Sequence, residues 1–184
     1  MQVNELQKLV HASLLAALIA VGAYIAVPLP IVPVPLVLQN LFVLLAGLLL
    51  GSRWGLASMG IYLLAGSMGI PVFAGGKGGL AHFLGPTGGY LIGFAVSAYI
   101  TGFISERFRR CLGTDIAAVI AGSLAAYLFG VPWLKMVTGM EWSKACMVGM
   151  APFLIGDSLK AAAAVIIARA VRPMLARGLE TAST

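Results

Sequence analysis

Charge is what this sequence has least of. Only 10% of its 184 residues are Asp, Glu, Lys or Arg, well under the quarter usual in soluble domains. Nothing in the chain is polar enough to form a large soluble domain. Cysteine is almost as scarce: Cys111 and Cys146 have no second Cys or His at metal-ligand spacing, which excludes a metal cluster and a disulfide framework. The two histidines, His11 and His82, leave the superficially nucleophile-like Gly66-Ser67-Met68-Gly69 without a base at comparable depth, so no catalytic constellation is expected. A Walker phosphate-binding sequence is also missing, and any ATP-derived energy must come from elsewhere.

What is present is apolar. Hydrophobic residues make up 60% of the chain, and the mean hydropathy is +1.00. The apolar runs are continuous and lack the dyad alternation of barrel strands, so helices must satisfy the backbone in the bilayer. At roughly 17 to 25 residues per span, the length allows about six. The expectation is an all-α integral membrane protein, a compact six-helix bundle forming one domain over residues 1–184. The first apolar run lacks a small-residue cleavage site, so it is expected to stay in the protein.

The spans are placed at Leu9–Val27, ended by Pro28, Pro30, Pro33 and Pro35; at Leu36–Leu50; and, after the break Gly51-Ser52-Arg53-Trp54, at Gly55–Ile70. A glycine-rich segment, Pro71 to Gly89, is too apolar for a free linker and is expected to pack on the bundle. Span four covers Tyr90–Ile104, and span five covers Asp115–Val131 with Pro132 ending it. Span six covers Ala145–Val171, with Pro173 after it. The formal charge of +6 belongs to residues flanking the spans, which argues against nucleic-acid binding. With both termini cytoplasmic, Lys8, Arg53, Arg107, Arg109, Arg110, Arg169, Arg172 and Arg177 lie inside. Lys77, Lys135 and Lys144 lie outside, and Lys160 sits within span six.

The sharpest functional feature is Gly156-Asp157-Ser158-Leu159-Lys160 in an otherwise apolar span. Intramembrane charge is costly and marks a functional site by default, and a separation of three residues places both groups on one helix face. Such a pair either closes on itself as a structural ion pair or faces a cavity and holds a polar, amide-like solute. Gln39 and Asn40, at the start of span two, serve as helix-end hydrogen bonders or ligand contacts. The glycine-rich loop with Gly76, Lys77, Gly78 and His82, followed by Tyr90, is either a plain turn or a surface that brings backbone amides to a ligand. Ala12, Ala16 and Ala20 form a small-residue stripe on span one, suited to packing within the chain or to a partner helix.

Four segments in combination carry a resemblance: Val34-Pro-Leu-Val-Leu-Gln39-Asn40, Gly69-Ile-Pro-Val-Phe-Ala-Gly75-Gly76, Leu84-Gly-Pro-Thr-Gly-Gly-Tyr90 and Pro152-Phe-Leu-Ile-Gly-Asp157-Ser-Leu-Lys160-Ala. Over almost its whole length the chain resembles the BioY family, the biotin-specific S components of energy-coupling factor transporters. The resemblance implies a six-helix subunit of the bacterial cell membrane that holds biotin beneath its outer loops, with no cofactor and no enzymatic activity. It also implies that Asp157 and Lys160 belong to the site and that the third loop closes over the ligand. Span one would dock on a transmembrane coupling subunit that sits on two ATPase subunits. One position departs: some members carry an arginine where this chain has Leu91, and Lys77 is the cation expected to meet the biotin carboxylate instead. An intramembrane enzyme and a passive small-solute channel are the rival classes.

Overall fold

The computed structural model describes residues 3–28 and 33–181, with side chains for 5–28 and 33–174; Pro30 and the side chain of Arg177 lie outside the described residues. The order is α1 (Val3–Tyr24), β1 (Ala26–Val27), β2 (Leu36–Val37), α2 (Gln39–Ser67), α3 (Ala81–Leu84), α4 (Gly88–Arg107), α5 (Leu112–Thr138), α6 (Trp142–Gly149), a 3-10 turn (Ala151–Phe153) and α7 (Leu154–Thr181). Among the described residues, five helical stretches are long and apolar enough to cross a membrane. The chain is a multi-pass membrane protein. Large apolar side chains such as Leu64, Leu128, Ile155 and Ile166 face outward, as expected of helices solvated by lipid.

Six apolar arms emerge because α2 is a hairpin. Gly51 has φ 80° and ψ −173°, a conformation that L side chains avoid, and a Cβ built on Gly55 would lie 3.1 Å from Gly47 Cα. Those residues would be about 12 Å apart in a straight helix. The break predicted at Gly51-Ser52-Arg53-Trp54 is therefore real, although the helical path barely pauses. Glu106 of α4 fills the space beside Gly51 and accepts from Ser52 N–H at 3.0 Å and from Ser52 Oγ at 2.6 Å, capping the second arm.

Two prolines do not end helices as the sequence reading expects. α5 runs through Pro132 to Thr138, and α7 is helical past Pro173. An internal proline costs about 3 kcal/mol, but beyond Pro132 the wholly buried Leu134 and the Trp133 indole, donating to Gly85 O at 3.0 Å, keep α5 packed. Span six is also not continuous from Ala145. The chain leaves helical geometry at Met150 (φ −131°, ψ −51°), and Pro152 opens the short turn before α7. A two-residue antiparallel ladder, Ala26 with Val37 and Val27 with Leu36, joins the ends of the first loop and was not anticipated.

The alanine stripe is used inside the chain. Ala12 is 0% and Ala16 5% exposed, in line with Leu15, Ile19 and Ala23, and only Ala20 is partly open. The outward face of α1 is instead Val10, Leu14, Ala17 and Val21. Expected as a docking surface, Ala12 and Ala16 are covered by the bundle itself in the isolated chain, where their small side chains let α1 approach the core. At Gly22 the approach is so close that a Cβ would lie 2.9 Å from Gln39 Cα, fixing where α2 begins.

One end of the bundle is tied by a buried ionic cluster. Arg172 donates to Asp115 Oδ1 and Oδ2 at 2.9 Å each, to Leu48 O at 3.0 and 3.2 Å, and to Ser105 Oγ at 3.0 Å. Asp115 is fully buried. Bidentate pairing and three further bonds offset the desolvation of both charges, and the cluster joins α2, α4, α5 and α7.

Candidate functional site

At the opposite end, α2, α4 and α7 and two loops enclose a cavity of about 50 Å³. Its polar lining comes from Gln39, Asn40, His82, Thr87, Tyr90, Asp157 and Lys160, and its apolar walls include Val34, Leu91, Phe94 and Phe153. Six of the residues singled out in the sequence therefore meet: Gln39, Asn40, His82, Tyr90, Asp157 and Lys160. Gly76, Gly78 and Lys77 are not in the lining. Lys77 borders an adjoining depression with Pro28, Pro33 and Ala74, and Ala74 lines both spaces.

Asp157 is the hub. Lys160 Nζ donates to its Oδ1 at 2.8 Å and the Tyr127 hydroxyl to its Oδ2, with Lys160 and Asp157 side chains only 11% and 14% exposed. The ion pair of the bland reading is present, yet it faces the cavity and is not used up. Each carboxylate oxygen has a second lone pair, and the ammonium has further N–H groups. Nothing local in the sequence marks Tyr127 as a partner of Asp157; it comes within reach because α5 packs beside α7.

Gln39 and Asn40 differ from Asp157 in a telling way. They are 2% and 3% exposed, and among the described residues Gln39 Nε2 and Asn40 Oδ1 make no hydrogen bond of normal geometry, although Gln39 approaches the Tyr62 hydroxyl, which is likewise unsatisfied. Neither side chain caps α2, so the capping alternative falls away. A buried donor and a buried acceptor are left unsatisfied at the cavity, each carrying a desolvation cost of about 1–3 kcal/mol that a complementary ligand would relieve. Tyr90 supports the wall by donating its hydroxyl to Gly149 O at 2.6 Å, which ties α4 to the last residue of α6, just before the break.

The glycine-rich segment packs as a plug. Phe73 is wholly buried, with its ring 5.0 Å from and nearly parallel to His82 and edge-on to Tyr62 and Phe83. Phe73 N–H donates to Lys77 O at 2.8 Å and Gly79 N–H to Gly66 O at 2.7 Å, while Tyr24 Oη donates to Pro71 O. A Cβ on Gly78 would lie 2.5 Å from Ile70 O; that glycine is needed by the plug itself, not by the cavity. His82 shares a 3.1 Å hydrogen bond with Thr87 Oγ1. Burial, and secondarily the Lys77 charge, hold its pKa below the ordinary value, so a neutral imidazole roofs the cavity.

The arrangement offers an amide-like solute donors, acceptors and one ion pair inside apolar walls, with no nucleophile–base pair among the described residues. Comparison with known proteins agrees with that chemistry. A sequence model of the BioY family matches residues 1–177. A probable biotin transporter BioY of Pyrococcus horikoshii is 46% identical over 156 residues, covering 85% of this chain and 90% of that protein. The biotin transporter BioY of Rhizobium etli is 40% identical over 172 residues, covering 89% and 91%. The crystal structure of the S component for biotin from an ECF-type ABC transporter superposes with a TM-score of 0.86 at 30% identity, covering 94% of this chain and 95% of that one. With the family pattern, the fold and the polar cavity in agreement, this chain belongs to the BioY family.

Proposed function

We propose that this chain is the biotin-capturing S component of an energy-coupling factor importer, a single transmembrane domain that takes biotin from outside the cell for ATP-driven uptake. The observation that carries the reading is the unpaired Gln39 donor and Asn40 acceptor beside the Asp157–Lys160 pair. Biotin's ureido ring presents two N–H donors and one carbonyl acceptor. Asn40 Oδ1 and Asp157 accept from the ring N–H groups, and Gln39 Nε2 and Lys160 donate to the ureido oxygen. The apolar walls take the thiophane ring, and the valerate tail runs outward past Ala74 toward Lys77. Gly76 and Gly78 shape the closing loop.

Orientation follows from charge. Arg53, Arg107, Arg109, Arg110, Arg169 and Arg172 gather at the end of the bundle that holds Gly51 and Asp115, remote from the cavity. The positive-inside rule puts that end, and both termini, in the cytoplasm of a bacterial cell. The outward face of α1 then meets a transmembrane coupling subunit, which in turn rests on two ATPase subunits. Tritiated biotin binding to the purified chain tests the ligand: saturable binding that unlabelled biotin displaces is expected, and absence of saturable binding refutes the proposal.

A further inference from the structure

On the far side of Asp157 from the cavity, α5 and α7 diverge to leave a membrane-facing groove of about 510 Å³, walled by Ile116, Val119, Ile120, Ala162, Val165 and Ile166. Side chains bridge these helices at two levels only among the described residues: Tyr127 to Asp157, and Asp115 to Arg169 and Arg172. Asp115 to Tyr127 and Asp157 to Arg169 each span twelve residues, about 18 Å of helix. That length is close to one leaflet of a hydrocarbon core roughly 30 Å thick.

Arginines follow the lining residues at the Leu112 end of the groove, outside the lining itself. Arg169 follows Val165 and Ile166 by four and three residues and so continues their face. Its side chain is 47% exposed, with one long contact of 3.5 Å to a carboxylate that Arg172 already binds twice at 2.9 Å. Most of its donors are open. Arg109 and Arg110, both exposed, lie just before Leu112 at the same end.

We infer that the α5–α7 groove is a site for an anionic phospholipid, its acyl chain between the helices and its headgroup phosphate on Arg169. A helix 10–12 Å across cannot sink between α5 and α7 while both bridges hold them together; a single acyl chain can. This inference does not depend on which solute fills the cavity.

The test compares retention of phosphatidylglycerol and phosphatidylcholine of equal chain length by the full purified chain, using native mass spectrometry from mixed nanodiscs. Phosphatidylglycerol should be retained about five-fold more, the effect of one basic contact at an anionic surface. Arg169→Gln should bring the ratio near one, and Ala162→Phe, which fills the groove, should remove both lipids. Equal retention by the parent, or a ratio unmoved by Arg169→Gln, overturns the site. A second measurement does not rely on a bulky variant: Ala162→Cys, with Cys111 and Cys146 changed to Ser, should react more slowly with a membrane-permeant maleimide in phosphatidylglycerol than in phosphatidylcholine. Equal rates, or a disulfide between two copies through Leu124→Cys in native membranes, would instead mean that the groove is open or covered by protein.

Discussion

Asp157 divides its carboxylate between two helices, one oxygen held by Lys160 of its own helix and the other by Tyr127 of α5. A ligand that binds Asp157 therefore adds to an existing network and does not fill an empty one. Asp157→Asn should weaken biotin by about 1.5–3 kcal/mol, the worth of a hydrogen bond to a charged group. The double variant Asp157→Asn with Lys160→Met removes both charges without leaving one unpaired. It should stay folded and still lose affinity in calorimetry; parent-like affinity would reduce the pair to a structural one.

Gln39 and Asn40 should behave oppositely in stability and in binding. Replacing Gln39 by Leu removes a buried donor that makes no hydrogen bond of normal geometry among the described residues, so the unliganded protein should melt no lower than the parent, while biotin affinity falls by about 1 kcal/mol or more. A variant that melts lower and binds unchanged would give Gln39 a structural role.

Span one supplies a prediction that depends on which face of α1 is open. Ala16 is buried and Ala17 exposed, so Ala16→Trp should overpack the core and cost about 1–3 kcal/mol of stability. Ala17→Trp should leave biotin binding intact and abolish uptake in cells. Equal uptake by Ala17→Trp and the parent would move the docking surface elsewhere.

His82 gives the plug a pH dependence. Its folded pKa is lowered by burial and then by Lys77, so its neutral form stabilises the closed plug above the unfolded value near 6.5. That stability is lost as pH falls through the folded value. Protease cleavage within residues 71–89 should rise between pH 7.5 and pH 5, and His82→Gln should flatten the rise. An equal rise in both proteins would assign the effect to other groups.

Asp115 and Arg172 should be far less tolerant of single than of paired change. Asp115→Ala strands a buried guanidinium and should cost about 3–5 kcal/mol, whereas Asp115→Leu with Arg172→Met should cost less, because no charge is left unpaired. Thermal melts of the three proteins in one detergent check this.

The spans were legible because a bilayer demands continuous apolar runs, and Asp157 and Lys160 because charge there is conspicuous. Asp115 looked like an ordinary span boundary: its pairing with Arg172 joins residues 57 positions apart, and no local pattern encodes that. Pro132 misled because its cost is set locally, while the Leu134 and Trp133 packing that outweighs it is tertiary. The alanine stripe gave its spacing but not its direction, since small side chains suit a core and an interface equally.

The reversal at Gly51 bears on biogenesis. Ribosomes deliver the two arms of α2 before α4 exists, so the amide of Ser52 enters the membrane region without Glu106, the group that caps it in the finished protein. Until α4 inserts, that amide must keep to water at the membrane surface. A nascent chain halted before residue 106 thus displays an open turn that the complete chain caps.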